Sequence, residues 1–220
     1  MININILYSK EIDKERVLYT VGRWDFYKQY YNTEWIKLPA NVDKEKISNY
    51  SEVDILKNVE EEYPNNLEKI YRKAEQEILS SWEEVSKKIE NVSDQTGIKF
   101  PNELDIQLTC YGMGGSYHLP NKIILLAIKL NLIATIVHEL IHLVIEGWIQ
   151  EYKVDQPKKE RIVDLFMSKY FGDMFPERVI PEFSQKVYQK IDYKKIDEIF
   201  ENFAPNMEAV IREVSQIYAV

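Results

Sequence analysis

The sequence predicts an α+β fold with a small, mostly antiparallel sheet, a buried central helix and a largely helical C-terminal part. Three features indicate this. Short stretches of alternating apolar residues occur near residue 2 and again between residues 103 and 128. Apolar residues recur at intervals of three and four over 67–89, which is typical of an amphipathic helix. Residues 131–146 are apolar nearly all round, as expected of a helix inside a core.

Length and composition predict one domain rather than several. The chain has 220 residues, of which 45% are hydrophobic and 29% charged, as in ordinary globular proteins. We expect a single domain over 1–220. It would comprise an N-terminal strand with a helical extension (1–98), a catalytic core (99–171) and a helical C-terminal part (172–220).

Charge and cysteine content exclude several classes of function. The net charge of −8 argues against nucleic acid or an anionic membrane as the main partner. The single cysteine, Cys110, excludes a disulfide framework and a cysteine-based zinc finger. Polar residues interrupt the apolar stretch 123–145, so no membrane insertion is expected. The first residues lack the pattern of a signal peptide, which predicts a cytoplasmic protein, and we expect a monomer.

The N-terminal part is predicted in order along the chain. Isoleucines alternate with asparagines over 2–8, which indicates a half-buried strand. A helix is expected within 11–31, and a partly helical segment over 43–62. A long helix follows from Leu67 and should stop between Asn91 and Gly97.

The middle of the chain changes to a strand pattern. ELDIQLTCY (103–111) alternates, GMGGSYHLP (112–120) is rich in glycine, and NKIILLAI (121–128) reads as a buried strand. We expect a strand, a glycine-rich turn with a short strand, and a third strand. The C-terminal part should consist of helices separated by Pro176, Pro181 and Pro205. Its expected core positions are Val187, Ile191, Ile196, Ile199, Phe200, Phe203, Val210, Ile211, Val214 and Ile217.

The central helix carries three polar residues where an apolar helix should bury them. Asn131 is expected to cap its N-terminus, and Gly147 to lie just past its end. Between them stand His138, Glu139 and His142. Burying three such groups is costly unless something satisfies them, and a metal ion would satisfy all three.

The spacing of these residues favours a zinc site. His138 and His142 are four residues apart, so both imidazoles project from one face of the helix toward one ion. Glu139 lies about 100° further round, beside the ion, where a catalytic base is needed. The string HELIH (138–142) therefore matches the HExxH signature of zinc peptidases.

A catalytic zinc site needs a third protein ligand. Ile145 and Trp148 stand where the longer HExxHxxGxxH pattern requires Gly and His, so that pattern is excluded. Glu146 lies about 12 Å along the same helix from His138, too far to share the ion. The better candidate is Glu160, on a second predicted helix (155–171) with Pro157 in its first turn and Gly172 at its end. Asp164, one turn later, can accept a hydrogen bond from a ligand histidine.

HELIH followed by ERIVD (160–164) resembles the gluzincin zinc metallopeptidases. This resemblance implies a zincin-like fold, a Zn²⁺ cofactor and hydrolysis of peptide bonds in a peptide or protein substrate. In that family an edge strand before the motif helix pairs with the substrate, and the matching residues here are Gly115, Ser116, Tyr117 and His118. The family also uses a Tyr or His as an oxyanion donor. The candidates for that donor are His118, Tyr170, Tyr188 and Tyr193.

Two other functions remain open from the sequence. ERIVDLFM (160–167) is also similar to the third-ligand helix of ImmA/IrrE-type regulatory peptidases, which cleave specific repressors. Those proteins usually continue into a small-residue run and Met-Pro, whereas this chain has SKYFGDMFP. Alternatively, zinc is a structural staple in a non-catalytic binding module. Glu139 argues against the staple, because a closed structural site needs no buried base.

Overall fold

The computed structural model describes residues 1–62, 67–176 and 193–217, which form an α+β fold with four strands and eight α-helices in those ranges. The strands are β1 (Asn3–Leu7), β2 (Glu103–Thr109), β3 (Gly115–His118) and β4 (Lys122–Leu126). The helices are α1 (Lys10–Gly22), α2 (Trp24–Tyr30), α3 (Glu52–Glu62), α4 (Leu67–Thr96), α5 (Leu132–Glu151), α6 (Gln156–Phe171), α7 (Tyr193–Phe203) and α8 (Met207–Ser215). Two short 3-10 helices, Thr33–Trp35 and Lys44–Asn49, lie between α2 and α3.

The sheet has the order β1-β2-β4-β3 and is mixed. β1 pairs with β2, and β2 with β4, in parallel, while β3 pairs with β4 in antiparallel fashion. The prediction of a mostly antiparallel sheet is therefore wrong. The chain leaves β1 through four helices before it returns as β2, and such a crossover joins parallel strands. The glycine-rich segment after β2 does not fold back on β2 but carries the chain to the outer edge, where β3 forms a hairpin with β4.

Most of the core lies around α5, which packs on β3 and β4 and against α4 and α6. The inward residues of β2 (Leu104, Ile106 and Leu108) are fully buried, as the alternation predicted. The apolar stripe of α4 is buried from Tyr71 to Val92. The helix expected within 11–31 is present as α1 and α2, and α2 with the following loop forms a smaller apolar cluster around Trp24 and Ile36.

α5 begins after Asn131, as predicted, but the Asn131 side chain makes no capping hydrogen bond. The helix continues to Glu151 rather than ending near Gly147. Gly147 is exposed inside the helix, while Ile145 and Ile149 on either side are buried. Burial of such side chains stabilises by about 1.5–3 kcal/mol each, which outweighs the cost of about 1 kcal/mol for a helical glycine. By length and composition alone, α5 could also cross a membrane, but 67% of its most apolar window is buried within the fold.

The second predicted helix forms with the expected ends. The Asp155 side chain accepts a hydrogen bond from the backbone N–H of Lys158, Pro157 lies in the first turn, and Gly172 is the C-cap. A short connection between α5 and α6 makes the two helices neighbours. They form a helical hairpin that brings the two sequence motifs, HELIH and ERIVD, into one region.

The C-terminal helices confirm part of the predicted core. Ile196 and Phe200 of α7 are buried, and so are all four predicted positions of the last segment, Val210, Ile211, Val214 and Ile217. Phe203 is 41% exposed, so its assignment to the core is wrong. It lies in the last turn of α7, directly before the chain turns at Pro205 into α8. Pro181, Val187, Tyr188 and Ile191 lie outside the described residues.

Candidate metal centre

Two imidazoles from α5 and one carboxylate from α6 converge on one point. His138 Nε2 and His142 Nε2 are 3.1 Å apart. Glu160 Oε2 lies 3.5 Å from His138 Nε2 and 3.4 Å from His142 Nε2. The three predicted ligands thus form a nearly equilateral triangle of donor atoms, with side chains at most 14% exposed.

The triangle matches what a small divalent cation requires. Two ligands of a tetrahedral zinc ion with bonds of about 2.0–2.1 Å are separated by about 3.3 Å. The three observed separations lie close to that value. Two imidazole nitrogens and one carboxylate oxygen are also the donor set of a catalytic rather than a structural zinc site. The residues present therefore fit the metal that the sequence predicts.

Burial and the charges of neighbouring side chains shift the pKa values of Glu160 and His138. Burial opposes ionisation of Glu160, but His142 and His138 hold the pKa of this carboxyl well below its usual range. Burial likewise opposes protonation of His138, yet the hydrogen bond that His138 donates to Glu160 and the charges of Glu139, Glu160 and Asp164 raise the pKa of the imidazole. The site is therefore an anionic pocket that attracts positive charge.

Asp164 lies on the side of the cluster away from Glu160. Its Oδ1 is 3.8 Å from His138 Nδ1, which is longer than a hydrogen bond. The predicted hydrogen bond to a ligand histidine is thus not formed at this distance, although the charge of Asp164 acts on His138. Nδ1 of His138 and Nδ1 of His142 are both buried without a hydrogen-bond partner among the described residues.

Glu139 is buried beside the cluster and faces the edge strand. A Cβ atom on Gly115 would come within 2.8 Å of Glu139 Cγ and Oε1, and equally close to Thr135 Cγ2. The carboxylate therefore lies directly against the backbone of β3 at Gly115. Only a residue without a side chain fits between the strand and the helix here.

Tyr117, two residues further along β3, covers the cluster. Its ring stacks on His142 with centroids 5.2 Å apart and an angle of 8° between the planes. Its hydroxyl donates to Glu146 Oε2 at 2.6 Å and accepts from Lys159 Nζ at 2.8 Å. Burial and the nearby Glu146 raise the pKa of Tyr117. Glu146 is too distant along α5 to be a ligand itself. It helps to hold the ring of Tyr117, which lies over the predicted ligand His142.

Ser116 and His118 point to the other side of β3. Ser116 Oγ accepts a hydrogen bond from Arg16 Nη1 at 2.8 Å, and the His118 ring meets Tyr19 of α1 edge-on. Of the four residues predicted to bind substrate, Gly115 and Tyr117 therefore border the cluster of His138, His142 and Glu160. Ser116 and His118 do not.

Tyr31, which the sequence analysis missed, reaches the cluster from the end of α2. Its hydroxyl lies 3.4 Å from Glu160 Oε1 and accepts from Gln156 Nε2 at 3.1 Å. Burial and the charges of Glu160 and Glu139 raise its pKa, so the hydroxyl keeps its proton at neutral pH. It is one of 15 tyrosines and lies more than 100 residues before HELIH, so no local pattern could single it out.

The oxyanion-donor candidates named from sequence lie elsewhere. His118 faces α1, Tyr170 packs on Phe166, and Tyr193 lies under the guanidinium of Arg161. Tyr188 is outside the described residues.

A comparison of the chain with protein families, with curated proteins and with solved structures found no match.

Proposed function

We propose that this protein is a zinc-dependent hydrolase that cleaves peptide bonds within peptide or protein substrates. The observation that carries the proposal is the triangle formed by His138, His142 and Glu160, with the buried carboxylate of Glu139 on the neighbouring helical position. Three protein ligands leave one position of a tetrahedral ion for water or substrate. A buried base beside such a site is what hydrolysis requires and what a purely structural site does not.

A zinc ion held by His138, His142 and Glu160 would supply Lewis acidity, which would make water easier to deprotonate near neutral pH and would polarise the peptide carbonyl. Glu139 removes the proton from the attacking water and passes it to the leaving amine. Its position against Gly115 supports this assignment, because a substrate paired with β3 would bring its carbonyl next to this carboxylate.

The outer edge of β3 is suited to bind an extended peptide. The backbone N–H of Leu126 donates to the carbonyl of Gly114, so alternate residues, Gly114, Ser116 and His118, face β4. The backbone groups of Gly115 and Tyr117 then face outward, and within the described residues no backbone partner occupies that edge. A peptide strand added here would satisfy them.

Tyr31 is the proposed donor to the oxyanion that develops during attack. Its protonated hydroxyl adjoins Glu160 and is oriented by Gln156. A donor of this kind stabilises the transition state more than the substrate, because charge develops on the oxygen only during attack.

The test combines metal content with peptide hydrolysis. Protein loaded with Zn²⁺ and freed of excess metal should hold one zinc per chain by mass spectrometry of the metal, and should cleave unfolded casein. Glu139→Gln should keep its zinc but lose about 10²- to 10⁴-fold in rate, because the base is removed and the ligands stay. His142→Ala should lose both the bound zinc and the cleavage of casein.

Glu151→Gln is the matched control, since Glu151 is an exposed carboxylate at the end of the same helix. It should leave zinc content and rate unchanged. A chain that holds no stoichiometric metal contradicts the proposal. If Glu139→Gln keeps both its zinc and the full activity of the protein, the metal is a structural staple. A wild-type protein that cleaves one repressor but not casein would favour the regulatory peptidase.

A further inference from the structure

A second group of side chains lies on the face of β3 that turns away from the metal ligands. It consists of Arg16, Tyr19 and Arg23 from α1 and its C-cap, and His118 and Lys122 from the β3–β4 hairpin; we call it the basic cluster. The guanidinium carbons of Arg16 and Arg23 lie 5.6 and 5.3 Å from the centre of the Tyr19 ring. The same ring meets the His118 ring with centroids 5.4 Å apart.

The cations of the basic cluster form no ion pair within the described residues. Their acidic neighbours are Asp105, which lies opposite Lys122 in the register of β2 and β4, and Glu139, whose charge acts on Arg16. Within the described part of the chain, no carboxylate lies within 4 Å of the charged nitrogens of Arg16, Arg23 or Lys122. Arg16 is only 2% exposed and donates to two neutral oxygens, Ser116 Oγ and the carbonyl of Met113. A buried cation of this kind is costly without a counter-charge.

The remaining members of the basic cluster are accessible. Arg23 is exposed, and Lys122 and His118 are half-buried. The cations of Lys122, Arg16 and Arg23 add to burial in lowering the pKa of His118 to about 4, so His118 is neutral at pH 7 and offers one N–H donor. The surface beside Ser116 and His118 therefore presents positive charge and hydrogen-bond donors to whatever pairs with β3.

The geometry of a sheet connects this surface to the substrate. In a strand added to the outer edge of β3, residues opposite Gly115 and Tyr117 point toward α5 and the metal ligands. Residues opposite Ser116 and His118 point toward the basic cluster, because residues opposite one another project from the same face. Alternate substrate side chains thus meet two chemically different surfaces.

We infer that the protein selects extended peptides with an aspartate or glutamate at the positions opposite Ser116 and His118, where Arg23 and Lys122 neutralise the acidic side chain. This inference rests on the proposed function and names the class of substrate. Charge complementarity supports it, because an acidic substrate side chain on this face would lie beside Arg23 and Lys122, neither of which has a carboxylate within 4 Å among the described residues. Both cations lie at the surface, so their effect should be on selectivity rather than on folding.

The test uses a library of short synthetic peptides with randomised central positions. In one arm, the zinc-loaded wild-type protein digests the library and the products are sequenced by mass spectrometry. In the other arm, immobilised Glu139→Gln protein captures peptides without cleaving them. Both arms are repeated in the Arg23→Glu, Lys122→Glu background, with Lys73→Glu on the exposed face of α4 as the matched control.

We expect Asp and Glu to be enriched about fivefold at one or two alternate positions, since a partly exposed charge pair contributes about 1 kcal/mol. The double charge reversal should abolish this enrichment or replace it with Lys and Arg, while Lys73→Glu should leave it intact. Cleavage without acidic enrichment, or enrichment that survives the double reversal, overturns the inference and leaves the proposed function standing. If nothing is cleaved, the proposed function fails, and the capture arm still decides the inference. Peptides captured without acidic preference, or no captured peptides at all, overturn it.

Discussion

The two faces of β3 contact side chains of opposite charge. Toward α5, Gly115 and Tyr117 contact Glu139 and His142, and the charge there is negative. Toward α1, Ser116 and His118 contact Arg16 and Tyr19, and the charge is positive. Four consecutive residues face the two environments in turn, because side chains alternate along a strand.

This difference indicates that the two faces of β3 have different roles. Groups on the α5 side, together with Tyr31, are arranged around a point where donor atoms converge, so changes there should alter the rate of reaction. Groups on the α1 side hold the strand and present charge, so changes there should alter stability and the choice of substrate. Each of the following predictions tests one side against the other.

Apart from the proposed ligands and base, the largest effect is expected at Tyr31. Tyr31→Phe removes the hydroxyl beside Glu160 and should lower the rate of casein cleavage by about 10²- to 10³-fold, because an oxyanion donor is lost. Zinc content and the urea unfolding midpoint should change little. Tyr152→Phe, which removes a hydroxyl bonded to Glu208 far from the ligands, is the control and should keep full activity. Equal rates for the two variants would assign Tyr31 no part in the reaction.

The next effect is expected at Gly115. Its backbone does not require a glycine, but an added methyl group would come within 2.8 Å of Glu139 and Thr135. Gly115→Ala should therefore displace the base and lower the rate by about 10²-fold while zinc stays bound. Gly147→Ala provides the contrast, since nothing lies within 4 Å of its Cβ position. That variant should keep its activity and gain roughly 0.5–1 kcal/mol in the free energy of unfolding. Full activity of the Gly115→Ala protein would show that the working position of Glu139 does not depend on the close approach of β3.

On the α1 side, the expected effect is on stability. Gly112 has φ = +88°, and an added Cβ would overlap the buried guanidinium of Arg16. Gly112→Ala should cost roughly 2–4 kcal/mol in urea unfolding, from backbone strain and from displacement of a buried charge. Gly97→Ala carries similar strain at φ = +71° with nothing within 4 Å, so it should cost only about 1 kcal/mol. Similar losses in the two variants would show that Arg16 is not held tightly against this turn.

The smallest effect concerns pH. The pKa of His118 is about 4 in the folded protein because of burial and nearby cations, against an ordinary value near 6.5. As pH falls from about 6.5 to about 4, the unfolded chain binds a proton that the folded chain does not, so stability is lost over this window. His118→Asn should remove that part of the loss, of order 1 kcal/mol after allowance for the half-exposed ring. Urea midpoints at pH 7 and pH 5 measure it. An identical pH dependence in the two proteins would contradict the prediction.

The convergence of His138, His142 and Glu160 was predictable because its determinants are local. The distance from His138 to His142 follows from the helical repeat, and the ends of α6 follow from Asp155, Pro157 and Gly172. These two helices are joined by a short connection, so their motifs had to become neighbours. Sequence reasoning was therefore sufficient to identify all three converging side chains.

The remaining features depend on contacts between distant parts of the chain. Strand direction in the sheet depends on how β1 and β2 are connected, and the alternation of apolar residues carries no information about direction. The end of α5 depended on the burial of Ile149, which outweighs the exposed Gly147. Tyr31 and Arg16 belong to a segment without a recognisable motif, and only the folded chain brings them to the site.

The parallel pairing of Asn3–Leu7 with Glu103–Thr109 has a consequence for how the protein is made. During synthesis the first strand leaves the ribosome long before β2, its partner among the described strands, and four α-helices are translated in between. Closing such a long loop is slow, because its entropy must be lost before the new contacts compensate. We expect the helical segments to form first and the sheet to complete last, so the early-emerging strand is the one most exposed to chaperones and to mispairing.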